Sequence, residues 1–175
     1  IAAVNGDAYG GGMCLALAAD LRFAAEGARF NATGIVNGLT STEMGASWLL
    51  PRLVGAAHSN DLLMTGRVVD ADEAFRMGLV SRVLPPEDLV DEAVAVAEQM
   101  ARYSRYGLAM TKSTVWANLE IPSLAAAQEL EDRNQLMLGF TDNLPEAMKA
   151  FAEGREPVYL DEPRRDLYDP GGATT

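Results

Sequence analysis

The chain has 175 residues and a mass of 18.7 kDa, the size of one domain or of one domain with a small helical appendage. Hydrophobic residues make up 49% and charged residues 22%, enough to bury a core and too apolar for a generically disordered chain. The formal net charge is -11 with a pI near 4.4, which excludes binding to nucleic acid through a basic face.

The opening run Ile1-Ala2-Ala3-Val4 reads as a buried strand, with nothing before it to pair with it. A chain that begins inside a core strand is expected to be a fragment or a processed piece. Asn5 to Gly12 (NGDAYGGG) is a turn too glycine-rich to be regular, and Met13 to Asp20 is a helix apolar nearly all round, hence buried. Leu21 to Ala24 is a second strand, Ala28 to Asn31 a candidate third, and 32–40 irregular. Thr40 to Val54 reads as a helix, with Thr40 and Glu43 spaced as a capping box. Ala57 to Met64 is another helix. Asp70 and Glu73 form a second capping box before Ala74-Phe75, and Gly78 stops that helix. Leu79 to Leu84 is a strand closed by Pro85-Pro86. Four amphipathic helices follow: one through Leu89, Ala93, Ala97 and Met100, one over 104–118, one from Pro122-Ser123, and one from Leu144 to about Glu153.

Charge divides unevenly along the chain. Residues 1–60 carry a net -1 and residues 61–175 the remaining -10, so a soft boundary falls near 65–85. The division that results is a core over 1–84, a helical region over 85–160, and an aperiodic, flexible tail over 161–175. The single cysteine, Cys14, excludes an internal disulfide and a cysteine-rich zinc site, and the single histidine, His58, excludes a multi-histidine metal site. No apolar run reaches the roughly 20 residues of a membrane span, and no signal-peptide pattern is present. The expectation is a soluble, cytoplasmic protein.

Gly10-Gly11-Gly12 sits between a strand and a helix. Glycines there let the backbone approach a ligand, and the helix start supplies free N–H groups that can hold an anion or a developing oxyanion. The alternative is a tight turn that packs a helix onto a sheet. No Gly-Lys-Ser/Thr follows, so it is not a P-loop, and the dinucleotide fingerprint is not matched.

Ile1-Ala2-Ala3-Val4-Asn5-Gly6, Ala8 and Gly10-Gly11-Gly12 together resemble the signature of the crotonase superfamily, the enoyl-CoA hydratase/isomerase family. The likeness continues through Leu50-Pro51-Arg52-Leu53-Val54-Gly55, Leu63-Met64-Thr65-Gly66-Arg67, Gly78-Leu79-Val80 and Ala150-Phe151. It implies an α/β fold, the C-terminal part of a β-β-α spiral followed by a helical region that builds homotrimers or dimers of trimers. It also implies that roughly the first hundred residues of a family member are missing here, with most of the coenzyme A pocket.

Family members polarise an acyl-CoA thioester with two backbone N–H groups, and Gly11 matches the second donor, with Gly10 beside it as a binding residue. The family's hydratases use two glutamates. Their positions hold Cys14 and Gly34 here, so the resemblance favours isomerisation over hydration. Glu43 matches a further acid carried by dienoyl-CoA isomerases and is the candidate lone base. Capping by the Thr40–Glu43 pair is the competing role. Phe151 matches a residue that covers the coenzyme, and Arg155 stands beside Gly154, where a lysine is usual, as a candidate phosphate contact. No separate cofactor is implied, because coenzyme A is part of the thioester substrate.

Cys14, in the first helical turn, is either a reactive thiol or a small buried hydrophobe. His58 reads as a surface residue, Arg52 and Arg67 as family positions or structural ion pairs, and the scattered methionines, Met44 among them, as packing. Two other functions stay open: an acyl-CoA binder without catalysis, and an inactive fragment.

Overall fold

The computed structural model describes residues 1–164. The chain divides into two compact units, Ile1–Ala97 and the residues from Glu98 onward.

The first unit begins with β1 (Ala2–Val4) and β2 (Asp7–Tyr9), turns into α1 (Gly11–Leu17), and repeats the two-strand step as β3 (Arg22–Ala25) and β4 (Arg29–Asn31). β1 pairs in parallel with β3, Ala3 opposite Phe23, and β2 in parallel with β4, Ala8 opposite Phe30. Parallel neighbours cannot be joined by a hairpin and need a crossover; α1 supplies it for both pairs. A 3₁₀ turn (Ile35–Asn37), α2 (Ala46–Thr65), β5 (Val69–Asp70) and α3 (Ala71–Arg76) follow, and β6 (Arg82–Leu84) then joins β3 in parallel while β5 lies antiparallel to β4. Successive circuits therefore build two three-stranded sheets, β1-β3-β6 and β2-β4-β5, the β-β-α spiral that the resemblance implies.

β3 is the middle strand of its sheet, and all four of its residues are buried. A strand covered on both faces reads as an unbroken apolar run rather than an alternation, and the strand read over Leu21 to Ala24 is found one residue later, at Arg22–Ala25. Arg22, at the start of that strand, is buried too. Its Nε donates to the Leu79 carbonyl at 2.8 Å and its Nη1 to the Leu17 and Ala19 carbonyls. One guanidinium thus ties the end of α1 to the segment leading into β6.

Several sequence expectations change. β2 lies inside the stretch read as irregular turn, and β5 was not foreseen; each is three residues or fewer and exists because β4 offers it a paired edge on either side. β1 is half-buried rather than buried, and Leu15 on α1 is 67% exposed, so that helix is not buried all round. The two helices expected over 40–64 are the halves of α2, bent where Gly55 takes φ 78° and ψ 162°. The first half starts at Ala46 instead of Thr40. Its N-cap is Gly45, with no side-chain capping bond, so the Thr40–Glu43 capping box is not formed. The second box is half-formed. Asp70 accepts from the Glu73 N–H at 2.7 Å, but the Glu73 carboxylate goes to Arg67 at 2.7 and 2.9 Å, which also reaches Asp61 at 2.6 Å.

α4 (Leu89–Ala101) begins in the first unit, where Leu89 is buried with Phe23 and Ala25. The second unit holds α5 (Arg105–Asn118), α6 (Leu124–Gly139) and α7 (Asn143–Glu153). Ser104 and Ser123 cap α5 and α6 through their hydroxyls, and Gly154 closes α7 in the left-handed conformation. The stretch expected to be an aperiodic tail starts with ordered contacts. Asp161 accepts from Ser104 Oγ, from Asn143 Nδ2 at 2.8 Å and from the Arg105 N–H at 3.1 Å, while Arg164 N–H donates to the Phe140 carbonyl at 2.7 Å. The rest of that stretch, 165–175, lies outside the described residues. No helix among the described residues is long and apolar enough to cross a membrane.

Candidate functional site

The three glycines between β2 and α1 form the floor of the site. Gly10 has φ 52° and ψ -119° and stands at the N-cap of α1, a backbone conformation that glycine adopts at little cost. Its N–H is spent on the Asn31 carbonyl at 2.9 Å, and its carbonyl accepts from the Cys14 N–H at 3.0 Å. Gly11 and Gly12 open the helix, and first-turn amides have no intrahelical acceptor. The Gly11 N–H is therefore suited to receive a carbonyl oxygen that is gaining negative charge.

Three side chains close on that floor. A Cβ placed on Gly10 would stand 2.7 Å from Thr33 Oγ1 and 3.7 Å from a Glu43 carboxylate oxygen, and one placed on Gly11 would stand 3.5 Å from Met44 Sδ. Glu43 thus lies against the glycine turn although 33 residues separate it from Gly10 in sequence. It is exposed and precedes α2 by three residues. With no capping bond to hold it, its carboxylate serves no helix end. Thr33 and Met44 were not singled out as site residues. No local pattern marks them, and Met44, read from the sequence as packing, is 59% exposed beside Gly11.

The two positions that the resemblance assigns to hydratase glutamates, Cys14 and Gly34, are built differently. Cys14 is buried, and its Sγ–H donates to the Glu43 carbonyl at 3.6 Å. Burial, and next the Glu43 charge, push the thiol pKa up, so the thiolate is disfavoured and the small-hydrophobe reading of Cys14 is the one the geometry supports. Gly34 has no room for any side chain. A Cβ there would stand 2.0 Å from the Thr40 carbonyl oxygen and 2.9 Å from Ser41 Cα. The loop is locked in that form by Ser41, whose hydroxyl donates to the Ala32 carbonyl and accepts from the Ile35 N–H, both at 2.9 Å.

The remaining candidates lie elsewhere. Phe151, on α7 of the second unit, is 90% exposed. Arg155, just past that helix, is engaged within its own unit: it donates to both Glu146 oxygens at 2.6 and 3.0 Å and to Glu153 at 2.6 Å. These bonds hold the Glu146 carboxyl down to about 2. Two carboxylates already neutralise the guanidinium that the sequence offered as a phosphate contact. Arg52 stacks on Trp48, 3.7 Å from the ring centroid, and Arg67 is the ion-pair centre described above. His58 is exposed.

Comparison with known proteins agrees with this architecture. A family profile described as Enoyl-CoA hydratase/isomerase matches residues 1–162. The chain is 50% identical over 163 residues to "Probable enoyl-CoA hydratase EchA12" of Mycobacterium tuberculosis (strain ATCC 25618 / H37Rv), covering 93% of this chain and 57% of that protein. The chain thus spans a little over half the length of that relative. Among solved structures, a probable enoyl-CoA hydratase/isomerase from Mycobacterium abscessus superposes with a TM-score of 0.88 at 47% identity, covering 91% of this chain and 62% of that one. A structure titled as a monofunctional enoyl CoA isomerase from M. smegmatis gives a TM-score of 0.66 at 48% identity, covering 72% and 59%. By profile, sequence identity and fold alike, the chain belongs to the enoyl-CoA hydratase/isomerase family.

Proposed function

We propose that the whole protein carrying this chain is an acyl-CoA enzyme that shifts a double bond, using the Gly11 N–H as one oxyanion donor and Glu43 as its single acid/base group. The observation that carries this reading is the pairing of Glu43 with the glycine turn, at a site where Cys14 is a buried thiol and Gly34 admits no side chain. Isomerisation needs one base. The Glu43 carboxylate removes a proton from the carbon beside the thioester of a 3-enoyl-CoA, and the electrons move through the double bond onto the thioester oxygen. Fixed amide dipoles stabilise that dienolate. The same carboxyl then returns the proton two carbons further along, giving the 2-enoyl-CoA, and no water is consumed. Hydration by the paired-glutamate route requires two placed carboxylates, and the positions for both lack one. The M. smegmatis structure titled as an isomerase supports the same direction; the EchA12 relative carries a hydratase name.

The test uses the whole protein with Glu43→Gln. Conversion of 3-enoyl-CoA to 2-enoyl-CoA, followed by mass spectrometry with deuterium from solvent, is expected to fall by about a hundredfold or more, with acyl-CoA binding retained. Parental turnover in Glu43→Gln would remove Glu43 from the chemistry. The two missing acids also favour a second reading, a non-catalytic acyl-CoA binder, and binding by the parent protein with no turnover of any enoyl-CoA would establish it in place of the first.

A further inference from the structure

Between Glu43 and the start of α2 the chain takes two consecutive left-handed residues, Met44 at φ 46° and Gly45 at φ 85°. Gly45 adopts this freely. Met44 does not, because a Cβ crowds the following carbonyl in that region. Burial does not explain its conformation, since the side chain is 59% exposed. Yet the local sequence offers a relaxed alternative: Thr40-x-x-Glu43 is a capping box, and right-handed residues at 41–45 would extend α2 back to it. The structure declines that option. The Met44 thioether instead lies against Gly11, 3.5 Å from where a Cβ on that residue would sit, and the Glu43 carboxylate lies against Gly10.

We infer that Met44 is a positioning residue: its side chain, seated on Gly11, holds the strained left-handed turn that keeps Glu43 at the glycine floor and out of the capping box. The inference rests on the proposed role of Glu43 for its catalytic consequence, but not for its structural one. Strain of this kind persists where surrounding contacts over-determine it, and it collects at functional sites. Here two contacts do so: the Ser41 hydroxyl pins the loop ahead of the turn, and Met44 against Gly11 pins the turn itself.

The experiment compares Met44→Ala, Met44→Leu and the double variant Thr40→Ala/Met44→Ala in the whole protein. Met44→Ala removes the seat but keeps the strain. It is expected to let α2 extend, slowing amide hydrogen exchange over 41–45 and leaving Tm unchanged or higher. kcat is expected to drop roughly tenfold to a hundredfold with little change in KM, the cost of a misplaced catalytic group. Met44→Leu keeps an apolar side chain of similar length and should stay within about threefold of the parent. Removing the Thr40 cap in the double variant takes away the competing helix start and should recover most of the lost kcat. A purely structural methionine would give a lower Tm in Met44→Ala and no recovery. Unchanged exchange over 41–45 in Met44→Ala would overturn the inference even if Glu43 is the base. Slowed exchange with parental kcat would uphold Met44 as the anchor of the turn and instead remove Glu43 from catalysis.

Discussion

Restoring the missing hydratase carboxylate at Gly34 is the most direct challenge to the reading of this site, and the structure gives the cost. A side chain there collides at its first atom: Cβ would lie 2.0 Å from the Thr40 carbonyl oxygen and 2.6 Å from its carbon. Both are backbone atoms, so rotation of a side chain brings no relief. Real Cβ contacts begin near 3.0 Å, so the Thr40–Ser41 backbone must retreat by at least about 1 Å, enough to break hydrogen bonds at their usual lengths. Ser41 then loses its bonds to the Ala32 carbonyl and the Ile35 N–H. Two bonds at about 1 kcal/mol each, plus about 1 kcal/mol for polar groups left unsatisfied around a buried hydroxyl, come to about 3 kcal/mol. For a chain of this size that is a Tm loss of roughly 6–12 °C. Gly34→Ala should show it in a thermal melt by circular dichroism, because the clash starts at Cβ. Gly34→Glu should show at least as much and gain no ability to add water to a 2-enoyl-CoA in the whole protein. Gly12→Ala is the control: a Cβ there meets nothing within 4 Å, and it should melt at or above the parent temperature, as alanine is the better helix former. A Gly34→Ala melt within about 2 °C of the parent, or new hydratase activity in Gly34→Glu, would refute the reasoning.

The state of the thiol gives a second prediction. Cys14 should react with iodoacetamide at least about tenfold more slowly in the native chain than in urea, and Cys14→Ala should cost about 1 kcal/mol without changing turnover; rapid native alkylation would contradict its raised pKa. The third concerns acid. Glu146 has a folded pKa of about 2 against an ordinary value of 4.5, so its ion pair contributes fully above pH 4.5 and is lost as pH falls from there toward 2. Exchange at the Val158 N–H, which also donates to Glu146 at 2.9 Å, should accelerate relative to the intrinsic amide rate across that window in the parent. In Glu146→Gln it should already be fast at neutral pH and show no such step.

What the sequence made legible follows from the range of the forces involved. The apolar run in β3, the helix starts near Ser104 and Ser123, Asp70 as a cap and Gly78 as a stop are local signals, and each appears within a residue or two of its expected place. β2 and β5 are not local objects. They have too few residues to show a period, and partners supplied by β4 decide them. Arg22 was counted only as a charge; that its guanidinium would join the nearby Leu17 and Ala19 carbonyls to the distant Leu79 carbonyl is a property of the assembled spiral. At the site, the glycine turn announced itself through composition, and Glu43 through resemblance. Gly34 was read as an acid missing from its place, but the closure of the Thr40 backbone over it could not be seen until the loop was folded.

The same limit explains why a good local rule gave the wrong start for α2. Thr40 and Glu43 have the residue types and spacing of a capping box, and a box of this kind stabilises a helix start by about 1 kcal/mol. The left-handed Met44 that replaces it costs roughly as much again. The chain therefore forgoes about 2 kcal/mol of local preference over five residues and places a carboxylate on the glycine turn. Local and global preferences normally agree in a natural sequence, and the places where they part are expected to be strained or functional. Here they part at a segment that carries an acid to the glycine turn. The second box shows what happens without that demand: Asp70 caps α3 with regular geometry, and Glu73 is drawn off only as far as the neighbouring Arg67. Two similar motifs in one chain thus have different fates, and the difference lies in what each carboxylate faces.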